Sequence, residues 1–350
     1  MRLDLDRAAV ARCRDLARRI VDPVAAFMAA HSTVAVERAV VRLLGGSGAL
    51  PDGTPRANVF VDRLSPEQLA RGATYWLGAL MAWHGHSAEN VCDGVAAGIF
   101  DPSEAAGVTP MQARLSLLDS AATALALMHV RRNERERLMV RFPQWPPPLL
   151  YVIVASGNIY EDRTAAVAAA DAGAQIIAVI RSTGQSLLDY VPEGATTEGF
   201  GGTYATQENF RIMRAALDEA SERLGRYVML TNYASGLCMP EIAAMAALER
   251  LDMLLNDSMY GILFRDINMR RTFIDQHFSR MLCAHAGIII NTGEDNYLTT
   301  ADAVEQAPAV LASQFINEEF AHRAGLPDEQ LGLGDAFEID PDLEDGSRPK

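Results

Sequence analysis

The stretch RSTGQS begins at Arg181, directly after the apolar run AQIIAVI that ends at Ile180. A strand that ends in arginine, serine, threonine and glycine offers a guanidinium, hydroxyls and approachable backbone N–H groups at one point. Those are the groups that satisfy phosphate oxygens. The segment lacks GK[ST] and is not a Walker A loop, nor is it the GxGxxG of dinucleotide folds. GFGGTYAT comes later, at 199–206, and does not directly follow a strand. Taken alone, RSTGQS is equally compatible with an ordinary glycine-rich connection. A second strand end, NYASG at 232–236, carries Ser235 and favours the phosphate reading.

Other strand ends add different chemistry. NDSMYGILFRDINMRR places Tyr260 and Arg265 just beyond the run LDMLL. An aromatic there suits stacking on a flat ring, and an arginine suits a carboxylate. A packing tyrosine and a surface ion pair are the plainer alternatives. NTGEDNY brings Glu294 and Asp295 to the next strand end, where a carboxylate either pairs with an amine or caps a helix; for Asp302 the cap is the better reading. His84 and His86 lie close in WHGH, but no HExxH or carboxylate pattern surrounds them, so no metal site is expected. Cys13, Cys92, Cys238 and Cys283 form no CxxC and read as free buried thiols. The only lysine is Lys350, the last residue, so residues 1–349 offer no lysine for a Schiff base or a general base.

The elements that must position these groups fall into two patterns. Residues 1–147 read as a mainly helical region, with apolar residues at three- and four-residue spacing. LSPEQLARGATYWLGALMAW reads as a helix capped by Ser65, another opens at Thr109–Pro110, and QWPPPLL stops it. Apolar runs then alternate with helical stretches: LLYVIVAS, AQIIAVIRS, RYVMLTNYA, LDMLLND and AGIIINTG, with a weaker candidate in GDAFEI at 334–339. That alternation implies a parallel sheet covered by helices, with chemistry at the strand C-terminal ends. Residues 148–340 are expected to be α/β, as a TIM-type (β/α) barrel incomplete at its C-terminus or as an open sheet, since a barrel needs eight strands and five good runs are found. A polar tail follows at 341–350. The 350 residues carry a formal charge of −14, which argues against nucleic acid. No run approaches ~20 apolar residues and the N-terminus lacks a signal-peptide core, so no membrane span is expected and the chain reads as cytoplasmic.

Several long stretches carry a resemblance. LLYVIVASGNIYED, IIAVIRSTGQSLLDYVPEGATTEGFGGTYATQENFRIMR, LTNYASGLCMPEIAAMAALERLDMLLNDSMYGILFRDINM and GIIINTGEDNYLTTADAVEQAPAVLASQFINEEFA closely resemble the large (alpha) subunit of lysine 5,6-aminomutase, as does DPVAAFMAAHSTVAVERAVVRLLG. The resemblance implies a radical enzyme that uses adenosylcobalamin and pyridoxal 5′-phosphate (PLP). Such enzymes move the terminal amino group of D-lysine or L-β-lysine to the adjacent carbon. It implies a small cobalamin-binding partner subunit that also supplies the Schiff-base lysine, which agrees with the lysine count. By the same resemblance Arg181, Ser186 and Ser235 bind the PLP phosphate and Tyr260 lies against its ring. His129 approaches the phenolic oxygen, while Arg265 and Asp295 hold the substrate's carboxylate and amine. Family members run past this chain's end with the last barrel strands, a lysine near the substrate and a glutamate near the adenosyl ribose. Activity is therefore expected to be conditional on that segment, whether lost or supplied as a separate C-terminal barrel fragment. An ornithine-type aminomutase component and a non-catalytic remnant that binds PLP or a partner are the alternatives.

Overall fold

The computed structural model describes residues 5–143, 145, 149–179, 182, 185, 188, 190–291, 305–327 and 330–331. Among the described residues eight α-helices precede the first strand: α1 (Arg7–Ala30), α2 (Val34–Leu43), α3 (Arg56–Asp62), α4 (Pro66–Leu69), α5 (Ala73–His84), α6 (Ala88–Ala96), α7 (Pro110–Ser116) and α8 (Leu118–Arg141), with a short 3-10 helix at Pro102–Ala105. Polar side chains set their starts. Asp6 caps α1, Thr33 caps α2, and Ser65 and Thr109 form capping boxes with Gln68 and Gln112. The segment read as one helix from Ser65 is two. Gly72, at φ +97°, breaks it between α4 and α5.

The remainder alternates strand and helix: β1 (Tyr151–Ile153), α9 (Ile159–Asp171), β2 (Ile176–Val179), α10 (Gln207–Leu224), β3 (Met229–Tyr233), α11 (Met239–Leu248), β4 (Met253–Leu255), α12 (Met259–Arg265), α13 (Met269–Ala286), β5 (Ile289–Asn291) and α14 (Ala307–Arg323). All four strand pairings are parallel, and the order in the sheet is the order in the chain. Sequential winding is barrel topology; a doubly wound sheet reverses direction midway. Five strands are described and they do not close on themselves. Leu331 makes a parallel bridge to Ile290 on β5, so the chain returns to the open edge. The sixth candidate, GDAFEI, lies outside the described residues. The alternation also missed α12 and α13, which occupy one connection.

Strand residues alternate between two faces. Ile177, Leu230, Leu254 and Ile290 join one core with Met213, Leu217, Ile242 and Met245 from the covering helices. The other face carries Ala178, Thr231 and Met253, with Tyr151 and Ile153 exposed on β1. A second core of Phe60, Trp76, Leu77 and Val91 holds α3, α5 and α6 together, and a third joins α1 and α2 to Phe273, Ile274 and Phe320 of α13 and α14. No single helix among the described residues is long and apolar enough to cross a membrane.

One buried carboxylate locks the N-terminal end of the sheet. Asp252, just before β4, accepts hydrogen bonds from Arg214 Nη1 (2.8 Å), the Tyr227 hydroxyl (2.7 Å) and the Leu230 N–H (2.7 Å). Arg135 of α8 lies 3.4 Å from it and also donates to the Ala286 carbonyl at 2.9 Å. Burial pulls the Arg135 guanidinium below its ordinary value, with Asp252 opposing it. Replacing Asp252 with alanine leaves the buried Arg135 without its carboxylate and Arg214 with Asp218 alone, and removal of one partner of a buried pair costs about 3–5 kcal/mol. Urea unfolding of Asp252→Ala is expected to show a loss of that size.

Candidate functional site

The C-terminal ends of the strands are built by a repeated device. Asn232 of β3 donates through Nδ2 to the Val179 carbonyl of β2, and Asn256, after β4, donates to the Ala234 carbonyl at 3.0 Å. The Asn256 N–H reaches the Asn291 carbonyl of β5 at 2.7 Å. Each amide fixes where its neighbour's strand stops, so the residues that follow leave the sheet at defined positions.

After β3 the chain turns through Ser235, which is buried, and Gly236, which adopts φ +81°. Only glycine takes that conformation without steric cost. The Gly236 N–H donates to Asp257 Oδ2 at 3.3 Å, and its carbonyl accepts from Arg271 Nη1 and from the Met239 N–H, each at 3.4 Å. After β4, Ser258 caps α12 by accepting from the Gly261 N–H at 3.0 Å. The cap puts Tyr260 in the first turn, where it packs on Val310 and Ala309 and lies 4.9 Å from the Phe264 ring. The exposed Arg265 brings its guanidinium to 5.5 Å from the Tyr260 ring centroid, a cation–π contact.

Ser235, Tyr260 and Arg265 thus gather beyond β3 and β4. Arg181, Ser186 and Asp295 lie outside the described residues, as do Glu294 and Asp302. His129 is exposed on α8, which packs against α11 and α13. Two residues of the opening stretch have structural partners. The Ser182 hydroxyl donates to the Phe200 carbonyl (2.8 Å) and accepts from the Phe200 N–H (3.1 Å), while Gln185 exchanges hydrogen bonds with Ala205 at 2.9 and 2.7 Å. They pin GFGGTYAT. Its glycines serve close backbone packing: a Cβ on Gly157 would stand 2.9 Å from the Gly199 carbonyl oxygen, and one on Gly199 would stand 2.2 Å from that of Gly202.

The helices that precede the sheet also reach this end. Arg42 of α2 is buried and pairs with Glu193 of the β2–α10 connection (2.9 Å) and Glu241 of α11 (3.5 Å). Burial raises the Glu241 carboxyl above its ordinary value, and Arg42 and Arg38 pull it back. The Thr33 hydroxyl donates to Asp275 of α13, whose other oxygen holds Arg271 at 2.6 Å. Arg271, Asp275, Asp257 and Thr33 escaped the sequence reading. Their one signal was NDS at the strand end, which supplies Asp257. Among the described residues no cluster of three or more His, Cys, Asp or Glu suits a metal. Cys92, Cys238 and Cys283 are buried thiols, whereas Cys13 is exposed, contrary to expectation.

A parallel sheet wound in sequence order defines a TIM-type barrel protein, and the candidate groups, a hydroxyl, a turn glycine, an aromatic and an arginine, stand at the strand C-terminal ends where such barrels carry their sites. Residues 3–349 match the family described as the D-lysine 5,6-aminomutase TIM-barrel domain of alpha subunit, and the chain belongs to that family. It is 54% identical over 346 residues to the lysine 5,6-aminomutase alpha subunit of Acetoanaerobium sticklandii, and 54% identical over 347 residues to that of Fusobacterium nucleatum subsp. nucleatum. Each match covers 99% of this chain and 67% of the relative. The D-ornithine 4,5-aminomutase subunit beta of Acetoanaerobium sticklandii is 35% identical over 189 residues, or 54% of this chain and 25% of that one.

Burial pushes the Asp275 carboxyl up to about 6 from its ordinary 3.8, against the opposing Thr33 hydrogen bond and Arg271 charge; nearby Asp257 adds to the rise. The folded chain therefore binds this proton more tightly than the unfolded chain. The resulting stabilisation is full below the unfolded value and is lost as pH rises through about 6. Measured as the stability difference from Asp275→Asn, the native chain is expected to weaken from about pH 4 to about pH 6. A flat difference would contradict this.

Proposed function

We propose that this chain is the PLP-binding large subunit of an adenosylcobalamin-dependent aminomutase that moves the terminal amino group of D-lysine or L-β-lysine to the adjacent carbon. The observation that carries the reading is 54% identity along 99% of the chain to proteins named lysine 5,6-aminomutase alpha subunit. The 35% identity to the ornithine enzyme's subunit, over only 54% of the chain, favours lysine over ornithine.

The site's chemistry fits a planar phosphorylated cofactor. With the Gly236 N–H given to Asp257, the donors of the kind a phosphate needs are the Ser235 hydroxyl and the Leu237 N–H that follows the turn. When bound, PLP supplies an aldehyde for the migrating amine and a conjugated ring that spreads an unpaired electron, while adenosylcobalamin supplies the homolytic chemistry. The chain's residues bind and orient. Arg181, Ser186 and Ser235 hold the phosphate. Tyr260 is assigned beside the ring through its aromatic face, whereas His129, two residues from the Arg131 that holds the Leu248 carbonyl ahead of β4, stands at the opposite end of the sheet and is given no role at the ring. Arg265 holds the substrate carboxylate in a charge-assisted pair, and Asp295 holds its amine. With Lys350 the sole lysine, the covalent anchor for PLP comes from the small cobalamin-binding subunit.

Removing one hydrogen bond to a charged group is worth about tenfold in affinity. Ser235→Ala is therefore expected to weaken PLP binding about tenfold, read by the cofactor's absorbance on titration, with the fold retained by circular dichroism. Unchanged affinity would remove Ser235 from the phosphate site and count against the reading.

A further inference from the structure

The turn after β3 is held from beneath by a relay that starts outside the sheet. Gly236 has the conformational freedom of any glycine at φ +81°, so its peptide needs external contacts to keep one orientation. α13 supplies them. Arg271 donates to the Gly236 carbonyl (3.4 Å) and Gln276 Nε2 donates to the Asp257 carbonyl (2.7 Å); Asp257 in turn receives the Gly236 N–H. Arg271 is itself fixed by Asp275 at 2.6 Å and by the Thr272 hydroxyl at 3.0 Å, and Thr272 bonds Asp266. Asp275 has no exposed surface and takes its last hydrogen bond from Thr33, the N-cap of α2. A trans peptide directs its C=O and the following N–H oppositely. With the Gly236 carbonyl drawn toward α13, the Leu237 N–H is turned away from that helix.

We propose that Arg271, oriented by Asp275 and Thr33, is a positioning residue that holds the Ser235–Gly236 turn in its phosphate-binding orientation. This rests on the reading of the turn as part of a PLP site. Arg271 does not touch the cofactor; it fixes the peptide whose neighbours do. The relay makes the phosphate grip depend on the helices that precede the sheet.

The test compares binding of PLP with binding of pyridoxal, which lacks the phosphate, by the full-length protein. The variants are Arg271→Met, Arg271→Lys and Asp275→Asn. The native protein is expected to prefer PLP. Arg271→Met is expected to lose about tenfold in PLP affinity while pyridoxal binding stays within about twofold, and Arg271→Lys should recover part of the loss. Asp275→Asn keeps the size of the side chain and should show the same phosphate-selective loss, which decides the matter if Arg271→Met does not fold. Equal weakening of both ligands, or no change in their ratio, overturns the proposal while leaving the PLP site intact. A native protein that does not distinguish the two ligands removes the phosphate site itself, and the proposal with it.

Discussion

Asp252 is the point on which the architecture depends. A carboxylate with 1% exposure is tolerated only when its lone pairs are filled: Arg214, the Tyr227 hydroxyl and the Leu230 N–H donate to this one, and Arg135 adds an ion pair at 3.4 Å. They tie α8 and α10 to the N-terminal end of the sheet, with Tyr227 and Leu230 supplying the β3 side. The carboxyl and the three arginines around it, Arg135, Arg214 and Arg250, take no part in the candidate site. Arg250 accepts φ +60°, the only positive value among the described non-glycine residues, and its guanidinium pairs with Asp218. The one strained non-glycine backbone among the described residues thus sits at the end where barrels place stability, together with one cluster of buried charge, while a second, Arg42–Glu241 and Arg271–Asp275, supports the opposite end.

At that opposite end the constraint comes from elsewhere. Short parallel strands end in asparagine amides that stitch neighbour to neighbour, but the turns beyond them are rich in glycine and need outside support. α2 gives it at two points, through Arg42 to Glu193 and Glu241 and through Thr33 to Asp275. The helical region is therefore part of the site's scaffold. Its first helices share a core with α13 and α14, so the supports and the sheet form one packed body.

The strands were legible because each is a short apolar run closed by polar turn residues, and their order follows from the chain alone. Ser235, Tyr260 and Arg265 were legible for the same reason: they stand just past those runs. α13 was not. It buries Thr272, Asp275, Gln276, Ser279 and Arg280, so no apolar stripe marks it as a helix. The supports were invisible for a different reason. Thr33 and Asp275 are 242 residues apart, and nothing local in either segment announces the contact. GFGGTYAT was set aside because it follows no strand directly, but its structural role was not legible: Ser182 and Gln185 hold that segment, and close packing against Gly157 explains its glycines.

The central claim is a PLP site that borrows its lysine. The most direct measurement is borohydride reduction of the PLP-loaded protein, with and without the small cobalamin-binding subunit, followed by mass analysis of each chain. The account predicts no added cofactor mass on residues 1–349 in either case, and stable addition to one lysine of the small subunit when it is present. Cofactor mass fixed on this chain, or none on the partner, would contradict it.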